Sequence, residues 1–302
     1  MIKTFTKYIL LAVLVWVSSL AKAQEKATPP PADYKPEAEK YRSIFRSTRL
    51  VNFQTVETLE KGSFDFRISH RLGDFKEPFY NFFGWDGPAT IKIGFDYSIT
   101  NNFTVGYGRN SNGKLWEGFL KYRLLRQRED GKSPLSITAL ASMNITSRPA
   151  AKTDEFKNFP ARMSYVYQIM FARQFGKVLS LQVAPTWIHY NQVDASSDKN
   201  DQFVLATMAR LRLTKSFLLI GEYGARLTKL TDLDPANDIK YHNSASFGIE
   251  WQTSGHSFQF FVANSNTMNE SQFLSMTTAN VLKGEIRLGF NISRVFHFGK
   301  RK

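Results

Sequence analysis

Asp65, Arg67 and Arg71 alternate with Phe64, Phe66, Ile68, His70 and Leu72 in the stretch SFDFRISHRLGD, Ser63–Asp74. Drawn out as a strand, this puts charge on one face and large apolar groups on the other. The same parity along the rest of the chain gathers Lys92, Asp96, Glu117, Lys121, Arg123, Arg210, Arg212, Glu222, Arg226, Glu250, Lys283, Glu285 and Arg287 onto the polar face. The set holds ten basic and six acidic side chains, a net of +4. Such charges can act in two ways. Around water they form a ring that favours anionic solutes; around nothing they must pair with one another, because unpaired buried charge is costly.

Other chemistry finds less support. His70 and His189 share the apolar parity, where a Ser–His pair on a lipid-facing wall would make a lipid hydrolase. Neither sits near a serine motif, and no G-x-S-x-G occurs. The five histidines are isolated, with no H-x-H or H-E-x-x-H. The absence of cysteine removes thiolate nucleophiles, thiolate metal sites and disulfides. TDLDPAND, Thr231–Asp238, has three acids but not the calcium-loop spacing, and its residues are those of an ordinary turn. GYGRNS, Gly106–Ser111, lacks the last glycine of a dinucleotide loop. The expectation is no catalytic residue, no metal and no cofactor.

The elements that must carry these charges come after an exported start. Lys3 and Lys7, the apolar run Ile9–Val17 and Ala21-Lys22-Ala23 describe a secretory signal over residues 1–23. That run is short of the roughly 20 residues a membrane-crossing helix needs, and later apolar runs are broken by polar residues. Formal charge is +14, or +11 without Lys3, Lys7 and Lys22. The basic residues are scattered singly rather than gathered in a block, which argues against nucleic acid. Residues 24–62 begin with a proline-rich lead, KATPPPADYKPEAEK, and continue as YRSIFRSTRLVNFQTVETLEKG. This second part is expected to be a short helix and a strand lying below or inside the strands after Ser63, a candidate plug.

From Ser63 to the end, twelve segments alternate in character, each long enough for a tilted strand of about 9 to 11 residues through a bilayer. Almost every position between the apolar ones is small, polar or charged. The connections alternate too. TNN, FGK, TKS and TSG are short, while GDFKEPFYNFFGWDGPA and SNTMNESQFLSMTTAN are long. NSNG and QREDGKSP blur the rule. Tyr97, Phe103, Phe175, Phe217, Trp251 and Phe258 lie near short turns, and Trp116, Tyr165 and Trp187 toward long loops, as two interfacial girdles require. The pattern is that of an all-β, closed antiparallel transmembrane β-barrel of about 12 strands over residues 63–302, with short periplasmic turns and long outer loops. Its partner on the outside is outer-membrane lipid. The apolar loop segments Phe79–Trp85 and Gln272–Met276 are expected to cap the lumen.

STRLVNFQTVE (Ser47–Glu57), FDFRISHRLGD (Phe64–Asp74), GFLKYRLLRQ (Gly118–Gln127) and MNESQFL (Met268–Leu274) resemble a family of Gram-negative outer-membrane β-barrel proteins of unknown function. The resemblance spans the mature chain and implies the barrel and the cell outer membrane. It implies no activity and no catalytic residue. Two non-enzymatic readings remain: a passive channel or binding barrel for small anionic solutes, or a structural or partner-binding barrel whose lumen is closed by salt bridges. Arg67 and Arg71 are expected to meet Glu285 and Arg287 where the first and last strands close. The sequence names no protein partner.

Overall fold

The computed structural model describes residues 41–297, apart from 152–154, 194–196, 234–238 and 254. The signal segment, the proline-rich lead to residue 40 and most of TDLDPAND lie outside the described residues.

Twelve strands form one closed antiparallel sheet in which each pairs with the next and the last pairs with the first. They are β1 (Ser63–Asp74), β2 (Thr90–Thr100), β3 (Phe103–Asn110), β4 (Leu115–Leu125), β5 (Ser136–Thr146) and β6 (Met163–Phe175). The other half comprises β7 (Leu179–Tyr190), β8 (Asp201–Arg212), β9 (Phe217–Arg226), β10 (Ser244–Gln252), β11 (His256–Ala263) and β12 (Arg287–His297). Closure leaves no edge strand, so every strand satisfies both rows of its backbone groups within the wall, the condition for spanning hydrocarbon.

The short turns share a local device. Thr100 Oγ1 accepts from the backbone N–H of Asn102 and Phe103 at 3.2 and 3.1 Å, and Thr214 Oγ1 accepts from Ser216 and Phe217 at 3.2 and 3.0 Å. Thr253 Oγ1 accepts from His256 N–H at 3.1 Å. In each case the threonine hydroxyl replaces the ladder partner that the reversing chain loses. The β6–β7 turn uses Gly176 instead, at φ +58°. Near this end the outer wall carries the Phe217–Trp251–Phe258 stack, with ring centroids 6.0 and 5.3 Å apart. Toward the long loops, Tyr107 stacks on Trp116 at 5.5 Å and Tyr167 on Trp187 at 5.1 Å.

Inside, the wall is divided. Inward positions of β1–β4 include Asp65, Arg67, Arg71, Lys92, Asp96, Glu117, Lys121 and Arg123. Inward positions of β5–β9 include Leu140, Val166, Met170, Ile188, Val204, Met208, Leu218 and Ile220, with Arg210 and Glu222 as the buried charges there. The expectation of a polar face on every strand is therefore met only in part over β5–β9, where these apolar side chains interleave with buried polar ones such as Thr138, Asn144, Gln168, Gln182 and Thr186. Alternation of polarity is weaker there, because those strands are covered on both faces.

Candidate functional site

The divided lumen is filled by two pieces of chain. Residues 41–62 arrive from the short-turn end: Tyr41 bridges to Arg128 and Arg42 N–H donates to Gln127 O at 3.0 Å, in the β4–β5 connection. They leave by the same end, where Gly62 N–H donates to Ser98 O at 2.8 Å. Between these points the chain doubles back as an irregular hairpin. Arg49 pairs with Gln54, Leu50 N–H donates to Phe53 O at 3.1 Å, and Thr55 N–H donates to Thr48 O at 2.9 Å. The helix expected in this segment does not form over residues 41–62. Its polar backbone is satisfied by the wall as well as by its own side chains, which frees it from regular structure.

The second piece is the β11–β12 connection, which folds back from the long-loop end and carries α1 (Glu270–Ser275). Phe273 and Leu274 are fully buried, and Phe273 stacks on Phe53 of the hairpin with centroids 5.0 Å apart. Tyr190 holds this loop to β7, its hydroxyl 2.5 Å from Ser271 O and 2.9 Å from Ser275 Oγ. Phe79–Trp85, the other apolar loop segment, does not cap the lumen: Phe79 and Tyr80 are 69% and 79% exposed. Two left-handed residues, Phe82 and Phe83, turn that segment onto its own rings.

Arg49 joins the two pieces and the charged wall. Its guanidinium lies 3.1 Å from Glu117 on β4 and 2.8 Å from Glu270 on α1, and Lys92 Nζ reaches Glu117 at 2.5 Å. Other wall charges are satisfied largely by hairpin backbone. Lys121 donates to Thr48 O at 3.1 Å and Gln54 Oε1 at 3.0 Å, and Arg123 donates to Thr58 O at 3.0 Å beside Glu57 at 3.4 Å. Arg71 donates to Asn52 Oδ1 at 2.6 Å and lies over the Phe261 ring at 4.2 Å. Glu222 accepts the backbone N–H groups of Asn52 and Phe53 at 3.0 and 3.1 Å. Asp96 accepts from Thr48 at 2.8 Å; Arg67 pairs with Asp65 at 3.3 Å; Glu250 accepts from Gln259 at 2.8 Å. Burial pushes the Glu270 carboxyl up to about 7, against the opposing pull of Arg49.

The opposite wall meets the hairpin through carbon as well as through hydrogen bonds of Thr138, Ser180 and Gln182 to its backbone at 2.7, 2.7 and 2.8 Å. Ile44, Phe45, Leu50, Val51, Phe53 and Val56 are each no more than 3% exposed and join Leu140, Val166, Met170, Ile188 and Ile220 in one apolar cluster. Six such side chains, at roughly 1.5–3 kcal/mol each, contribute on the order of 10 kcal/mol to seating the hairpin. The space left among Arg49, Arg67, Lys92, Asp96, Glu117 and Met268 is about 20 Å³, room for about one water.

The structure thus brings Arg67, Arg71, Lys92, Asp96, Glu117, Lys121, Arg123, Arg210, Glu222 and Glu250 together inside the barrel. Arg226 and Arg287 stand at the long-loop rim: Arg226 donates to Ser275 O at 2.7 Å, and Arg287 lies 3.6 Å from Asp74. Arg212 is half-buried at the short-turn end of β8. Lys283 and Glu285 are not lumen residues. Lys283 is exposed in a single 3₁₀ turn, and Glu285 accepts from Asn280 N–H at 2.7 Å and faces Lys76 at 3.6 Å, because Gly284 at φ +72° turns the chain before β12 begins. Nor does the closing seam match expectation: Arg71 stands opposite Gly289 and Arg67 opposite Ser293, with a bulge between Arg71 and Asp74.

Arg49, Asn52, Glu57 and Glu270 were missed as site residues. For Arg49, Asn52 and Glu270 the signal was a charged or amide residue beside large apolar ones, in RLVNF and ESQFL, outside any strand pattern; Glu57 carried no such signal. Of the two wall histidines, His70 stacks on Phe290 at 5.1 Å, and His189 Nδ1 lies 2.8 Å from Asp201. Among the described residues no serine hydroxyl bonds to either ring.

The model of the family described as "Membrane bound beta barrel domain (DUF5777)" matches residues 45–296. The chain belongs to this family. With its apolar belt, closed sheet and paired girdles it is a β-barrel of the outer membrane. No curated protein matches the sequence. Similar solved structures include the NanC porin, at 10% identity and TM-score 0.48, covering 78% of this chain and 100% of that one. The KdgM porin aligns at 10% identity and TM-score 0.47, covering 78% and 99%. The COG4313 outer membrane channel from Pseudomonas putida F1 aligns at 13% identity and TM-score 0.48, covering 89% and 100%. At this distance the likenesses carry no inference about activity.

Proposed function

We propose that this barrel is a plugged channel, closed at rest, which passes small anionic solutes when the 41–62 hairpin withdraws toward the periplasm. One observation carries the reading: the hairpin enters and leaves the lumen at the same end, so it can retract without threading through the barrel. Burial of the six apolar side chains opposes spontaneous opening, and a pull on the preceding proline-rich lead is the route to withdrawal. With the hairpin gone, the wall presents Arg67, Arg71, Lys92, Lys121, Arg123, Arg210, Arg212, Arg226 and Arg287 against Asp65, Asp96, Glu117, Glu222 and Glu250. Nine bases against these five acids and Glu270, which stays in the lumen on α1, leave +3, which favours anions.

Planar-bilayer recording decides the matter. The mature chain is expected to hold a closed trace and a variant lacking residues 41–61 to conduct with anion preference. A deletion variant that folds but stays closed supports the second reading, a structural barrel with a solid interior, which the apolar packing on β5–β9 favours.

A further inference from the structure

The outer wall of β4–β9 is not smooth. A groove of about 630 Å³ crosses it, lined by Leu120 and Tyr122, Ala139 and Ala141, Tyr167 and Ile169, Pro185 and Trp187, Phe203 and Leu205, and Leu227. Cross-strand register explains its shape. One row of directly opposed residues runs Phe203–Trp187–Tyr167–Ala141–Leu120, and the next runs Leu205–Pro185 and then Ile169–Ala139–Tyr122. The rows lie two residues apart along each strand, roughly 6.8 Å. Large side chains form the sides, while Ala139, Ala141 and Pro185 leave the floor low. Pro185 also lacks an N–H, and the β6–β7 ladder is interrupted between the Gln168–Thr186 and Phe171–Val183 pairs.

Direction matters as much as depth. Phe203 and Leu227 stand near the long-loop rim and Tyr122 in the short-turn half of β4, so the groove descends from the outer interface into the bilayer. Crossing six strands at about 4.8 Å spacing gives roughly 24 Å of length. On strands tilted about 45° that is a descent of roughly 17 Å, close to one leaflet of a core about 30 Å thick. At the upper end the wall becomes polar: Asp201 accepts from Trp187 Nε1 at 2.9 Å and meets His189 Nδ1 at 2.8 Å, in the zone where a lipid's ester and headgroup begin.

We infer that this groove is a binding site for one acyl chain of a lipid of the outer leaflet, with the Trp187–Asp201–His189 cluster at its polar end. Within hydrocarbon there is no hydrophobic force to favour one chain over another; retention comes from contact, and a channel with raised aromatic sides contacts a chain on three sides where a flat wall contacts it on one.

The test uses the mature barrel in phosphatidylethanolamine vesicles containing a trace of phosphatidylethanolamine with a diazirine on one acyl chain. Photolabel is expected on peptides carrying Ala139, Ala141 and Pro185 at about tenfold the level on the β2 peptide carrying Ile93 and Phe95, whose side chains stand on the outer wall away from the groove. Ala139→Phe with Ala141→Phe is expected to fill the floor and bring labelling down to the β2 level, while Ile93→Leu leaves it unchanged. Folding of each variant is checked by heat-modifiable gel mobility. The wild-type labelling map stands even if the double variant fails to fold. Uniform labelling around the wild-type barrel overturns the proposal, as does a cross-linked dimer that the double variant dissolves, since the groove would then belong to a second copy.

Discussion

The two inner walls, β1–β4 and β5–β9, face the same hairpin and hold it with different balances of charge and apolar contact. On the first, buried cations reach main-chain carbonyls, with Lys121, Arg71 and Arg123 as the main contacts. On the second, Val166, Met170, Ile188 and Ile220 close on Ile44, Phe45 and Phe53 with carbon against carbon, beside hydrogen bonds between the hairpin backbone and Thr138, Ser180, Gln182 and Glu222. The difference separates specificity from strength. A polar contact exchanged with water nets about 1 kcal/mol, whereas a buried large apolar side chain contributes about 1.5–3. The charged wall fixes where the hairpin sits, and the apolar wall supplies most of what keeps it there.

The largest effect is expected on the apolar side. Phe53→Ala removes the stack on Phe273 and is expected to cost about 3–5 kcal/mol of hairpin seating. Trypsin cleavage within residues 41–61 of the folded barrel should then accelerate by two to three orders of magnitude, roughly 1.4 kcal/mol per decade. A variant as resistant as the wild type would move the holding energy to the other wall.

On the charged side, Arg49→Ala leaves Glu270 and Glu117 facing each other and is expected to cost about 3 kcal/mol in the same assay. Arg49→Met combined with Glu270→Gln removes a charge of each sign, and should recover most of that loss if the wall specifies more than it stabilises. Smaller again is the response to acid. The folded state holds a proton on Glu270 more tightly than an ordinary carboxyl of 4.5 does, up to about 7. Its contribution is full below 4.5 and lost as pH rises through about 7, so hairpin protection should increase on acidification across that window. Glu270→Gln should flatten the profile. Least is Tyr190→Phe, which loses the hydroxyl contacts to Ser271 and Ser275 and should lower the unfolding free energy by about 1 kcal/mol, read by denaturant titration.

Most of the barrel was legible because alternation between lipid and interior repeats every two residues and needs no partner to be recognised. The boundaries of β1 and the short turns followed from it. Polarity of the interior was legible only where the wall is charged. Over β5–β9 the sequence has apolar residues on both parities, and what lies inside depends on a segment 82 residues away, as the Thr138 to Val56 O contact illustrates. Lys283 and Glu285 were misplaced because parity continues through a turn on paper while Gly284 interrupts it in space. Arg49 and Glu270, the ion pair that joins hairpin to loop, sit outside the strands, where a two-residue period has nothing to say.

The seam between β1 and β12 lies directly against the hairpin tip. Asn291 on β12 donates to Val51 O at 2.8 Å, and Arg71 on β1 reaches the same carbonyl at 3.3 Å. One oxygen near the start of the exported chain is therefore gripped by the two strands that join last, one of them 240 residues downstream. Biogenesis inherits an order from this: a nascent barrel whose first and last strands have not met offers only half a socket, and the interior piece acts as a gauge of completed closure.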